Sequence, residues 1–161
     1  MRGKMPHRGD RRQSGAASRP RLPIPDTRSR VHPEKPVVLV VDDDSDCRTI
    51  YAMHLRSAGC EVFTANDGRA AVDKTNDLRP DIIVMDLAMP RVDGWEAIRR
   101  LHDSSWTRQI PIIAVSAVPT SRDTAFEAGC DAYLAKPCDP QVLWSQIRAL
   151  LRLTHASRAS S

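Results

Sequence analysis

A chain of 161 residues, 41% hydrophobic and 27% charged, has room for one domain with a substantial core and fits neither a fibrous nor a membrane class. No apolar run approaches the roughly 20 residues of a membrane span, and residues 1–35 contain no apolar stretch of the signal-peptide kind, so a cytoplasmic protein is expected. The net charge of +4 is uneven: residues 1–35 carry ten Lys/Arg against three acids, a balance of +7, and the rest carries 14 against 17, a balance of −3.

Residues 1–35 are rich in Arg, Pro, Ser and Gly without helical or strand periodicity, a composition that cannot bury enough apolar surface to offset the entropy of ordering. A disordered basic arm is expected there. Its arginines suit phosphate or anionic lipid, but it holds no Phe, Tyr or Trp to stack on bases. Cys47, Cys60, Cys130 and Cys138 form no CxxC pair and do not group with the histidines, so reduced thiols in or near a core are expected rather than a zinc site.

From Pro36 the texture changes. Val37–Val41 is a β-branched run of the buried-strand kind, ending in Asp42, Asp43 and Asp44. Like charges this close need a cation or a proton where a strand end meets a crevice. A helix comes next, with Asp44 or Ser45 as N-cap and Cys47, Ile50, Tyr51, His54, Leu55 and Ala58 on its inner face, and Gly59 stops it. Glu61–Ala65 predicts a second strand. Asn66-Asp67-Gly68 then opens a helix ending near Leu78, whose apolar stripe of Ala71, Val72 and Leu78 is interrupted by Lys74 and Thr75.

Residues 82–85 read as a strand buried on both faces that delivers Asp86 at its carboxyl end, with Pro90 and Asp93-Gly94 punctuating the loop beyond it. By itself Asp86 could equally cap a loop. Trp95, Ile98 and Leu101 mark a third helix, and residues 110–115 a strand ending at Ser116. A short helix over 121–128 stops at Gly129, and residues 133–135 form a last strand running into Lys136-Pro137. The final helix has Asp139 as N-cap, Pro140 at its first position and Leu143, Ile147, Leu150 and Leu151 inward, leaving 154–161 as a frayed, disordered tail.

Five strands alternating with five helices indicate a parallel sheet covered on both faces. Asp42/Asp43, Asp86, Ser116 and Lys136 each close a different strand at its carboxyl end, where open α/β sheets bind their ligands.

Those residues carry a likeness. On VVDDD at the first strand end, MDLAMPRVDG around Asp86, Ser116-Ala117 after IIAV, and AYLAKP ending with Lys136-Pro137, residues 36–153 resemble the receiver domain of two-component response regulators, in its single-domain, chemotaxis-regulator-like form. The resemblance implies a flavodoxin-like, doubly wound five-stranded parallel sheet of order 2-1-3-4-5 with five helices. It also implies that Asp86 is the phosphoacceptor and that Asp43, Asp86 and the Ala88 backbone carbonyl hold Mg²⁺, with Asp42 assisting through water. Ser116 and Lys136 would bind the phosphoryl group, Ser116 and Tyr133 would form the switch, and the Lys136-Pro137 bond would be cis. The implied partners are a histidine kinase or histidine phosphotransfer protein and a downstream target protein, with no membrane. The implied chemistry is that of a signalling phosphoacceptor, not of an enzyme with a separate substrate.

Charge agrees with those roles. A carboxylate attacks an anionic phosphoryl group only where the site cancels charge, which hard oxygen ligands around Mg²⁺ and a point cation such as Lys136 can do. Two departures stand out. Ala88 and Val118, two residues beyond Asp86 and Ser116, offer no side chain to hold an attacking water, so slow self-dephosphorylation is expected, and Cys138 stands where the family commonly has a larger apolar residue. No output module is recognisable past Leu153, so the expected product is a changed surface for another protein. The alternatives are a phosphate-independent adaptor or a nucleic-acid-associated protein acting through its basic arm. A phosphatase with Asp42 as nucleophile is also conceivable, although it leaves MDLAMPRVDG unexplained.

Overall fold

The computed structural model describes residues 35–90, 94–118 and 121–159, so the expected arm, apart from Lys35, lies outside the described residues. Within them five strands alternate with five helices: β1 Val37–Val41, α1 Ser45–Ser57, β2 Glu61–Ala65, α2 Gly68–Leu78, β3 Ile82–Asp86, α3 Gly94–Asp103, β4 Ile112–Ser116, α4 Ser121–Glu127, β5 Ala132–Ala135 and α5 Pro140–Ala159. All four strand pairings are parallel, in the order β2-β1-β3-β4-β5. This is the flavodoxin-like doubly wound arrangement.

The period-2 alternation of the central strands divides the core in two. Leu39, Val41, Ile83, Met85, Ile112 and Ala114 face Ala71 of α2, Ala97, Ile98 and Leu101 of α3, and Ala125 of α4. Their neighbours Val38, Val40, Ile82, Val84, Ile113 and Val115 face Tyr51, Ala52 and Leu55 of α1 and Leu143, Ile147 and Leu151 of α5. Burial on both sides explains why these strands are continuous apolar runs. Because the strands are parallel, their carboxyl ends share one edge of the sheet, and the polar residues collect there.

Several local expectations change. The i, i+3 spacing puts Ile50 inside, yet it is 55% exposed. The buried arc of α1 is instead centred on Leu55 with Tyr51 and Ala52, and Ile50 falls on the far side. Thr75, expected to break the α2 stripe, is fully buried because its hydroxyl donates to the Ala71 carbonyl 2.7 Å away. The fourth strand begins at Ile112 rather than Ile110: Thr107–Gln109 form a 3-10 turn, and Pro111 has no N–H for a ladder, although its carbonyl accepts from Ile83 N–H at 3.0 Å. Helix α5 continues to Ala159 instead of fraying after residue 153, with the Thr154 hydroxyl donating to the Leu150 carbonyl at 2.6 Å.

Candidate functional site: an acidic crevice bridged by one lysine

Strand β1 leaves its ladder at Val41, and the next N–H, that of Asp42, still donates to the Ala65 carbonyl at 3.2 Å. The Asp42 carboxylate is buried, 2% exposed. One oxygen accepts from Asp44 N–H at 2.9 Å and the other from Lys136 Nζ at 2.9 Å. Asp44 itself is the N-cap of α1, accepting from Asp46 N–H at 2.8 Å and Cys47 N–H at 2.9 Å, and those two donors hold its carboxyl below the usual range. Arg48, one turn into the helix, turns back on the strand end: its Nη1 donates to the Asp42 carbonyl at 2.6 Å and reaches the Asp43 carbonyl at 3.4 Å.

Asp86 closes β3 and is 3% exposed. Its Oδ1 accepts from Ala88 N–H at 2.8 Å and its Oδ2 from Lys136 Nζ at 2.8 Å. The backbone behind it is held by close approach. A Cβ on Gly94, at the start of α3, would lie 2.2 Å from the Asp86 carbonyl oxygen, so only glycine lets α3 begin there. Burial pushes Asp42 above the ordinary aspartate range, with Lys136 and the Asp44 N–H pulling the other way. For Lys136, burial opposes the charge, but the hydrogen bonds to Asp42 and Asp86 outweigh it and its pKa rises, so the ammonium persists.

Asp42, Asp43 and Asp86 each bring a carboxylate oxygen within 4.8 Å of the others, and Asp43 is the exposed member. Three carboxyl groups face a single lysine ammonium, so the acidic groups outnumber the positive charge set among them. A small, hard dication with oxygen ligands fits that donor set, and the exposed Asp43 leaves room for the waters that Mg²⁺ retains.

Ser116 ends β4 and is 1% exposed, its Oγ accepting from Val118 N–H at 3.1 Å. The Lys136 N–H donates to the Ser116 carbonyl at 2.9 Å, which sets the β5 end beside the β4 end, and the Lys136-Pro137 bond is cis as expected. Tyr133, half-buried on β5, donates its hydroxyl to the Val118 carbonyl at 2.7 Å. Ser116 and Tyr133 therefore grip the same residue from two sides. Sequence inspection missed Arg48, Gly94 and the pivot at Val118. An arginine six positions after the first acid, and a glycine directly after MDLAMPRVD, were the available signals for the first two.

A doubly wound parallel sheet whose carboxyl edge gathers an acidic crevice bridged by one lysine points to a narrow class of α/β proteins. Residues 38–148 match the response regulator receiver domain, and the chain belongs to that family, a family of two-component signalling proteins. Among curated relatives, the DNA-binding dual master transcriptional regulator RpaA of Synechocystis sp. is 36% identical over 121 residues, covering 74% of this chain and 50% of that protein. The chain thus spans about half the length of the curated relatives it matches. Among solved structures, chemotaxis protein CheY4 of Vibrio cholerae superposes with a TM-score of 0.67 at 31% identity, covering 71% of this chain and 98% of that one. The receiver domain of a sensor histidine kinase from Pseudomonas aeruginosa, described with a magnesium ion coordinated in the active site cleft, does so with a TM-score of 0.68 at 32% identity, covering 73% and 98%. No helix among the described residues is long and apolar enough to cross a membrane.

Proposed function

We propose that this chain is a phosphorylation switch in which Asp86 accepts a phosphoryl group from a histidine kinase or histidine phosphotransfer protein, and that a protein target reads the altered surface. The observation that carries this reading is the shared lysine: Asp86, buried at a strand end, is joined through one ammonium to Asp42, within reach of Asp43. In the transfer, a P–O bond to Asp86 forms as the P–N bond to the donor imidazole breaks, and the imidazole keeps the electron pair. Asp42, Asp43, Asp86 and the Ala88 carbonyl would hold Mg²⁺, which supplies neutralising charge on the transferring group.

This chain's own residues do the rest. Lys136 exchanges a carboxylate oxygen for a phosphoryl oxygen, keeping its charge where negative charge accumulates. The Ser116 hydroxyl, now an acceptor from Val118 N–H, turns to donate to the phosphoryl group. Val118 then loses one of its two anchors, and Tyr133, bonded to its carbonyl, is free to move with the loop. The device is a two-state element biased by one new dianion. Under this reading residues 36–153 are the receiver unit in a cytoplasmic protein, and residues 1–35 are a basic appendage able to meet nucleic acid.

The test is intact-protein mass after incubation with acetyl phosphate, with and without Mg²⁺, on the wild type and Asp86→Asn. A single Mg²⁺-dependent phosphoryl adduct absent from the variant is expected. A folded wild type that acquires no adduct overturns the proposal.

A further inference from the structure

Arg48 has no part in the phosphoryl-binding set, yet its guanidinium is aimed at the backbone that carries two of the proposed metal-holding carboxylates. We propose that Arg48 is a positioning residue: by clamping the carbonyls of Asp42 and Asp43, it orients the acid pair for the divalent cation. The inference rests on the reading of Asp42 and Asp43 as metal-holding groups.

The geometry is reciprocal. Arg48 N–H makes the first turn of α1 by donating to the Asp44 carbonyl at 3.0 Å, which fixes where the arginine side chain starts. From there Nη1 reaches back to the Asp42 carbonyl at 2.6 Å and the Asp43 carbonyl at 3.4 Å, and the side chain is half-buried in doing so. The two carbonyls lie past Val41, where the β1 ladders to β2 and β3 have ended, so strand pairing does not set their direction. A carbonyl's direction sets its residue's ψ, and with it the path of the chain into the next residue. Both contacts come from one terminal nitrogen, whose N–H directions are fixed in the guanidinium plane, whereas a lysine ammonium rotates freely and offers only a mobile point charge.

Two roles for Arg48 predict opposite signs. If it acts only as a charge beside the crevice, removing it favours a bound dication. If it orders the acid pair, removing it weakens that cation, and outer contacts of this kind typically change metal affinity by about 10–100-fold.

The measurement is Mg²⁺ affinity by titration calorimetry on the full chain: wild type, Arg48→Met and Arg48→Lys, with folding checked by circular dichroism. Weakening of about tenfold or more in Arg48→Met is expected, with a smaller weakening in Arg48→Lys, which keeps the charge and loses the planar, directed N–H groups. Unchanged or tighter binding in Arg48→Met overturns the inference. Should Arg48→Met not fold, unchanged binding in Arg48→Lys overturns it equally. A wild type that binds no Mg²⁺ overturns the metal reading of Asp42 and Asp43, and the role of Arg48 falls with it.

Discussion

Replacing Lys136 by methionine keeps most of the side-chain stem and removes the ammonium that Asp42 and Asp86 share. The two carboxylates have 3% and 4% side-chain exposure and the lysine 17%, with bonds of 2.9 and 2.8 Å, so the variant leaves two buried anions without their common partner. Breaking a buried pair from one side costs about 3–5 kcal/mol. The lysine retains some contact with water, so a loss of roughly 3 kcal/mol at pH 8 is expected, a large share of the 5–15 kcal/mol typical of a domain. The pH dependence comes from Asp42. Burial already holds its folded pKa above the unfolded value, and losing the lysine raises it further. The folded variant then binds this proton more tightly than the unfolded chain. Stability accordingly rises as pH falls through the raised pKa toward about 3.9, and the deficit is smaller at pH 5 than at pH 8. Urea unfolding monitored by circular dichroism at the two pH values measures both quantities, and added Mg²⁺ should restore part of the loss at pH 8. A deficit under about 1 kcal/mol at pH 8, or one that grows on acidification, refutes the assignment of Lys136 as the counter-charge of this crevice.

Two further outcomes are expected. Ala88→Asn places an amide two residues beyond Asp86, able to hold an attacking water, and should speed loss of the phosphoryl group by about tenfold, the worth of one hydrogen bond of roughly 1.4 kcal/mol. Single-exponential decay of the adduct, monitored by intact mass, measures this, and an unchanged rate refutes the expectation that Ala88 slows self-dephosphorylation. Tyr51 is 4% exposed, and burial, with smaller contributions from Cys138 and Cys47, pushes its hydroxyl up to about 12. A folded pKa above the unfolded value near 10 means that stability is intact below pH 10 and lost as pH climbs toward 12, by about 2 kcal/mol. Tyr51→Phe should flatten the alkaline limb of a stability–pH curve; a limb of unchanged slope would assign the loss to other groups.

The strands were legible because burial on both faces demands runs such as Ile82, Ile83, Val84 and Met85, which no amphipathic helix would carry. The candidate site was legible for a related reason: parallel strands end on one edge, so Asp42, Asp86, Ser116 and Lys136 could be gathered once the strand ends were known. What escaped was set by geometry that periodicity does not encode. Ile50 satisfies the i, i+3 rule from Cys47 but lies outside an arc that only tertiary packing defines. Pro111 sits inside an apolar run yet cannot donate to a ladder, so the strand starts only at Ile112, two residues later than expected. Arg48 acts through main-chain carbonyls and Gly94 through the absence of a side chain, and neither leaves a mark in a pattern of polar and apolar letters.

The ammonium of Lys136 reaches a carboxylate 94 positions earlier in the chain and another 50 positions earlier. During synthesis the three aspartates therefore emerge long before the cation that reconciles them, and β5 must dock on β4 to deliver it. A nascent or clipped chain ending before residue 136 holds these acids without the counter-charge that bridges them. If Asp86 receives a phosphoryl group as proposed, that competence is a property of the completed sheet, and a donor that recognises the closed crevice is in effect inspecting the fold.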